Sequence, residues 1–236
     1  MVIRALRGYS RVAAPLEAGS ALLPVLLLMF LFTAIALGAA AVVRIEVIVA
    51  ERYRQSAEAM HAADGAIDVA VSELRNIAEW TPVLNGARRS VHSQGGFGGL
   101  RTVPGGGGIS LCCAADSVSG RLAAETALSS SPARRLVAWQ PFLWATFDSL
   151  VPRNPPSRLF VVVFVGEDEE EVGLEGNRDT NETVLVRAEA VDPGGIRRVI
   201  EALVARRPVE VVAPEAPVPG PMLRPVIGVL RWQEAR

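Results

Sequence analysis

Between Glu17 and Arg44 the chain carries no ionisable side chain, a run of 26 residues from Ala18 to Val43. A hydrocarbon core of about 30 Å needs roughly 20 apolar helical residues, so this run is long enough to span one. It constrains the chain more than any other feature. Arg4, Arg7 and Arg11 precede it, opposed only by Glu17, while mixed charges follow at Arg44, Glu46, Glu51, Arg52 and Arg54. The excess of arginine on the N-terminal side places a short N-terminus in the cytoplasm and the body outside. Three fates are open. A secretory signal would be cut after the run, for which Ala39-Ala40-Ala41 offers small residues, although the apolar segment is long for a signal. A plain signal anchor would stay whole. A third fate puts the cut before the run, between Gly19 and Ser20, so that the apolar segment stays on the mature chain.

The residues after the run bear on that choice. From Arg44 to Glu79 there is no proline, and the only glycine is Gly65. Apolar residues recur at Ile45, Ile48, Val49, Tyr53, Ala57, Met60, Ala63, Ile67, Val71, Leu74 and Ile77. Steps of three and four make one helical stripe. Glu46, Arg54, Glu58, Asp68, Glu73 and Arg75 occupy the other face. The pattern predicts a single helix over 20–79, with a transmembrane half (20–43) and an amphipathic half (44–79). Trp80-Thr81-Pro82 stops it, because a residue before proline avoids the helical region.

This arrangement resembles the N-terminus of type IV pilins, and more closely that of PilX-like minor pilins. The residues that carry the resemblance are Gly19-Ser20-Ala21-Leu22-Leu23, followed by "EAMHAADGAIDVAVSEL" from Glu58 to Leu74. A weaker similarity lies in Val184–Arg206, which resembles the closing hairpin of PilX-like proteins. The resemblance implies a prepilin-type leader (1–19), a prepilin peptidase that cuts after Gly19, and a new amine, methylated in the family, on Ser20. Most pilins carry glutamate at the fifth mature position, which is Pro24 here. A charge in lipid is costly unless paired, so that glutamate serves assembly. Proline cannot make the pair, but it fits the first turn of a helix, where its missing N–H costs nothing. Related tip-forming subunits commonly lack the glutamate, which points to a low-copy subunit near the filament tip.

Past the helix, residues 80–110 are glycine-rich and read as a mobile connection, without the lysine and Ser/Thr spacing of a phosphate-binding loop. Residues 111–207 form the expected extracytoplasmic body. Trp139, Phe142, Leu143, Trp144 and Phe147 are expected to fill a core beside the long helix. "LFVVVFV" (159–165) has strand length and β-branched composition. In Thr183–Val191, Val184, Val186, Ala188 and Ala190 share one face, and Leu185, Arg187 and Glu189 the other. "DPGG" at Asp192–Gly195 is turn chemistry. Ile196–Ala205 is ambiguous between strand and helix by pattern, and the turn together with the resemblance to PilX-like proteins favours a returning strand. The intervening segment is crowded with carboxylates between Glu167 and Glu175 and again from Asp179 to Glu182. It lacks the fixed spacing of a calcium loop and reads as a solvated hairpin loop. Residues 208–236 form a proline-rich tail, expected to be extended and semi-rigid. Val226, Val229, Leu230 and Trp232 fit a last short strand or a docking segment.

The fold expected is therefore α+β: a long N-terminal helix, its first half membrane-embedded, packed on a small antiparallel sheet. The net charge of −1, with all 24 basic residues arginine, gives no field that calls for nucleic acid. Cys112 and Cys113 are adjacent and bridge each other only with strained geometry. His61 and His92 stand apart from any metal or catalytic pattern. No Gly-x-Ser-x-Gly or His-Glu-x-x-His occurs, so neither a catalytic site nor a cofactor nor a metal is expected. The resemblance implies a structural role in type IV pilus assembly or priming. Its partners would be other minor pilins and the major pilin through the N-terminal helix, the prepilin peptidase, the inner membrane and a tip adhesin. A pseudopilin of a type II secretion system and a membrane-anchored extracytoplasmic binding module are the rivals.

Overall fold

The computed structural model describes residues 22–104, 106–152, 157–171, 178–209 and 224–234. The chain divides into two compact units, Met1–Arg52 and Tyr53–Arg236. Helix α1 (Leu22–Leu74) begins in the first and ends in the second. In the first unit it is the one described element, and every described residue on it is exposed.

In the second unit the rest of α1 packs on a sheet of five antiparallel strands. These are β3 (Gln140–Thr146), β4 (Phe160–Glu167), β5 (Thr183–Val191), β6 (Arg197–Val209) and β7 (Arg224–Glu234), adjacent in chain order. Before them come a short helix α2 (Thr81–Leu84), a hairpin of β1 (Leu100–Thr102) and β2 (Gly108–Ser110), helix α3 (Val118–Ala127) and a 3-10 turn (Arg134–Leu136). A short helix α4 (Phe147–Leu150) follows β3. The fold is α+β, as the sequence implies.

Period-two alternation splits the sheet between two cores. Val161, Val163, Val165, Val184, Val186, Ala188, Ala190, Ile200, Ala202 and Val204 face the helix. Phe160, Val162, Phe164 and Val191 face the opposite way, onto Val103, Ile109, Leu111, Val118 and Leu122. All eight residues of β4 are buried, which explains why it reads as a continuous apolar run. The sheet thus lies in the middle of three layers: helix, sheet, and the segment containing β1, β2 and α3.

The helix meets the sheet through small side chains. Ala59, Ala62, Ala63, Ala66 and Ala70 are fully buried, joined by Ile67, Val71 and Leu74. The stripe expected from the sequence is displaced toward alanine: Tyr53, Ile45 and Ile48 are exposed, and Ala57 and Met60 are half-buried. The regular helix ends at Leu74, earlier than 79. Trp80 folds back there, and its indole N–H donates to the Leu74 carbonyl at 3.1 Å.

The connection after the helix is anchored rather than mobile. Ser90 and Gln94 donate their backbone N–H groups to the carbonyls of Phe142 (2.8 Å) and Trp144 (2.9 Å), along the free edge of β3. The Trp144 indole returns a bond to the Gln94 carbonyl at 3.0 Å. These contacts cover an edge that would otherwise expose unpaired backbone groups. Glycine content gives no view of such long-range partners.

The aromatic cluster also divides. Phe142, Leu143 and Phe147 join the helix-side core, whereas Trp144 enters the opposite core against Phe97, with ring centroids 5.1 Å apart. A register shift between Pro141 and Leu143 accompanies this split. In β4, a Cβ on Gly166 would lie 2.5 Å from Val137 Cγ1, so glycine lets the chain cross closely there. The β5–β6 turn closes through Asp192 N–H to Ile196 O at 2.9 Å, with Gly195 at φ +88°. In place of a wholly semi-rigid tail, Arg224–Glu234 pairs antiparallel with β6 as the last strand. Cys112 and Cys113 are bonded to each other, and Cys113 has φ +80°.

Candidate functional site: the exposed apolar helix and the buried charges

The first half of α1 is the most demanding surface of the molecule. From Leu22 to Val43 it has no charge, and at about 1.5 Å per residue it rises roughly 33 Å. It is long and apolar enough to cross a membrane. Phe30 is 76% exposed and Leu37 73%. A contiguous apolar surface of this size requires lipid or other protein around it. Backbone groups are satisfied within the helix, so either surrounding is tolerated. Thr33, one of its few polar residues, donates its hydroxyl to the Phe30 carbonyl at 2.8 Å. Pro24 lies in the first turn of α1 and is compatible with the helix there. Gly19 and Ser20, the expected processing site, lie outside the described residues, as does the arginine-bearing leader.

A second feature was not legible as a unit in the sequence. Beneath α3, on the sheet face away from α1, Arg187 bonds Glu201 at 2.8 Å and Glu189 at 3.0 Å. Glu189 and Glu201 are almost fully buried, as is Arg187. Arg197 bonds Glu189 at 2.9 Å and Glu125 of α3 at 2.6 Å, Arg187 also pairs with Glu125, and Arg134 pairs with Glu201. Burial opposes the charge on Arg187, but Glu189, Glu201 and Glu125 outweigh it and raise its pKa. Burial likewise pushes the Glu125 carboxyl up, and Arg197 and Arg187 more than offset that, holding it below its ordinary value. The alternation in β5 puts Arg187 and Glu189 on one face, but nothing local reveals that α3 covers it. Every charge here has an opposite partner, so the layer reads as structural.

The acidic loop gives a different picture. Glu167 and Asp168, expected in a solvated turn, are buried. One carboxylate oxygen from each of Glu167, Glu171 and Asp179 lies within 4.8 Å of the other two. Burial pushes the Glu167 carboxyl up to about 7; the Asp168 N–H opposes this, and the charges of Asp179, Glu171 and Asp168 add to it. Of the two histidines, His92 sits 3.4 Å from Glu73, which also accepts the Ser90 hydroxyl at 2.7 Å, and His61 is exposed on α1.

No family model, curated protein or solved structure matches the chain. What remains is the architecture itself: a long N-terminal helix, apolar and exposed at first, whose second half packs on an antiparallel meander. The architecture is pilin-like.

Proposed function

We propose that this chain is a minor pilin, a non-enzymatic subunit that takes part in type IV pilus assembly or priming near the filament tip. One observation carries the reading. A single helix, Leu22–Leu74, is apolar and exposed in its first half and joins a packed antiparallel body with its second. That division suits a segment that first sits in the inner membrane and then moves into the helix bundle of a filament. Both surroundings are apolar, so the transfer exposes little new apolar surface to water. Pro24 supports a low-copy position, because it lacks the carboxylate that repeating subunits pair with a neighbour's amine. The partners are then other minor pilins and the major pilin through α1, the prepilin peptidase at Gly19, and an adhesin at the tip.

N-terminal sequencing of the mature protein tests this. A chain beginning at Ser20 supports it, one beginning at Val42 marks a secreted protein, and an intact Met1 marks a plain anchor. Gly19→Phe is expected to block maturation; unchanged processing would remove the proposed cut site. Purified pili probed for the mature chain then separate a pilus subunit from a pseudopilin of a secretion system.

A further inference from the structure

Three carboxylates converge where β4 runs into the β4–β5 connection. Glu167 ends the strand, opposite Val184 of β5. It is 1% exposed. One of its oxygens accepts the Asp168 N–H at 3.1 Å, while the other, Oε2, is buried and accepts no hydrogen bond. Asp179 likewise buries its Oδ1 without a donor. Buried polar atoms are nearly always paired, and a buried carboxylate without a counter-charge is costly. No arginine approaches these three as Arg187 approaches Glu189 and Glu201, among the described residues. Two such oxygens in one site call for a positive charge.

The surrounding hydrogen bonds hold the site's shape without neutralising it. Asp168 is fully engaged: Oδ1 accepts the N–H groups of Glu170 (3.1 Å) and Glu171 (3.0 Å), and Oδ2 accepts the Asn181 amide at 2.8 Å. Glu171 accepts the Thr180 N–H at 2.9 Å and the Asn181 N–H at 3.3 Å. Asp168 and Asn181 therefore clamp the two ends of the connection together, and Glu171 and Asp179 are brought beside Glu167.

We infer that Glu167, Glu171 and Asp179 form a binding site for a divalent cation, calcium in preference to magnesium. Oxygens bound about 2.4 Å from one calcium ion are at most about 4.8 Å apart, the separation these three satisfy. All donors are hard carboxylate oxygens, which excludes a preference for soft metals. Calcium tolerates an irregular set drawn from a strand and a loop, with water completing six to eight ligands. Magnesium demands octahedral geometry and gives up its water reluctantly, which the buried Glu167 disfavours. The bound ion would tie Glu167 at the end of β4 to Asp179, close before β5. A proton held by Glu167 is the competing occupant.

The test uses the full-length protein in detergent micelles, stripped with chelator and titrated at pH 7.5 with calcium chloride or magnesium chloride. Calcium is expected to bind at one ion per chain and to raise Tm. Magnesium at equal concentration should give a much smaller shift. Glu167→Gln and Asp179→Asn should each weaken calcium binding at least tenfold. Because the glutamine side chain is neutral, the first variant should be no less stable than wild type in chelator. Glu171, only half-buried, gives a variant that keeps the core intact, so Glu171→Gln decides the matter should a buried variant misfold. Calcium affinity should also fall as pH drops below 7, because each ligand proton must be displaced. No calcium-dependent shift and no bound calcium in the wild type, or a wild-type response in all three variants, would overturn the site and leave the proton as occupant.

Discussion

The Trp80 indole N–H donates to the carbonyl of Leu74 at 3.1 Å, so a residue six positions on satisfies the last turn of α1. The Arg206 guanidinium lies 4.8 Å from the centre of the same indole ring and donates to the carbonyls of Ile77 and Ala78. Strand β6 thereby fixes the exit of the helix. Trp80→Phe keeps most of the ring but removes one of two donors to the Leu74 carbonyl, which still accepts the Ile77 N–H at 3.2 Å, a cost of about 0.5–1.5 kcal/mol. Trp80→Ala also opens a cavity and should cost about 3–5 kcal/mol. Urea unfolding of the detergent-solubilised protein measures both; a Trp80→Phe variant as stable as wild type would show that the hydrogen bond contributes nothing.

The alanine face of α1 makes an opposite prediction at neighbouring positions. Ala63 and Ala66 are fully buried against the sheet, so Ala66→Leu overpacks the contact and should cost about 1–3 kcal/mol. Gly65 is helical and half-buried, and an added Cβ would meet only Phe147 Cε2 at an ordinary 3.8 Å. Gly65→Ala should therefore stabilise the protein by about 0.5–1 kcal/mol through helix propensity and a more restricted unfolded chain. Thermal unfolding of the two variants should move Tm in opposite directions.

Much of this body is legible from periodicity. The alternation of Val184, Val186, Ala188 and Ala190 reads directly as the helix-facing side of β5, and "DPGG" as the turn into β6. The opposite face is not legible. Arg187 and Glu189 look like solvent residues until Glu125, 62 positions upstream of Arg187, is folded over them. The same holds for residues 80–110, where glycine content suggests mobility but backbone bonds to β3 decide otherwise. In the acidic segment Glu169, Glu170 and Glu182 are exposed, as a solvated loop requires, whereas Glu167 and Asp168 are buried, which their run of like charges does not reveal. In the first two cases local composition sets the element, and a partner far along the chain sets the environment.

That buried charge layer predicts a strong and asymmetric response. Arg187→Met leaves Glu189 and Glu201 buried with one partner fewer each, and should cost about 3–5 kcal/mol. Replacing Arg187, Glu189 and Glu201 together by apolar residues of similar size should recover much of that loss, because Arg134 and Arg197 retain access to solvent and to Glu125 or Glu169. Chemical denaturation of the single and triple variants provides the comparison. A triple variant no more stable than Arg187→Met would mean that the layer is a net stabilising network.

The Glu167 carboxyl yields a pH dependence of definite sign when divalent cations are chelated. Its folded pKa is raised from 4.5 to about 7 by burial, with Asp179, Glu171 and Asp168 adding to the effect. Below about pH 4.5 it is protonated both folded and unfolded, and its stabilising contribution is fully present. As pH rises toward 7, the unfolded chain ionises freely while the folded chain resists, so that contribution is lost. The loss is on the order of 3 kcal/mol, because a tenfold change in proton affinity corresponds to about 1.4 kcal/mol. Above 7 the loss levels off. Asp179, also raised by burial, acts in the same sense, whereas Glu125 and Glu171 have lowered values and act in the opposite one. The total profile mixes these, so the informative quantity is the difference between wild type and Glu167→Gln. Wild type should lose stability relative to the variant between pH 4.5 and 7, measured by urea unfolding in chelator. A difference that stays flat across that interval would mean that Glu167 ionises in the folded protein as it does in water.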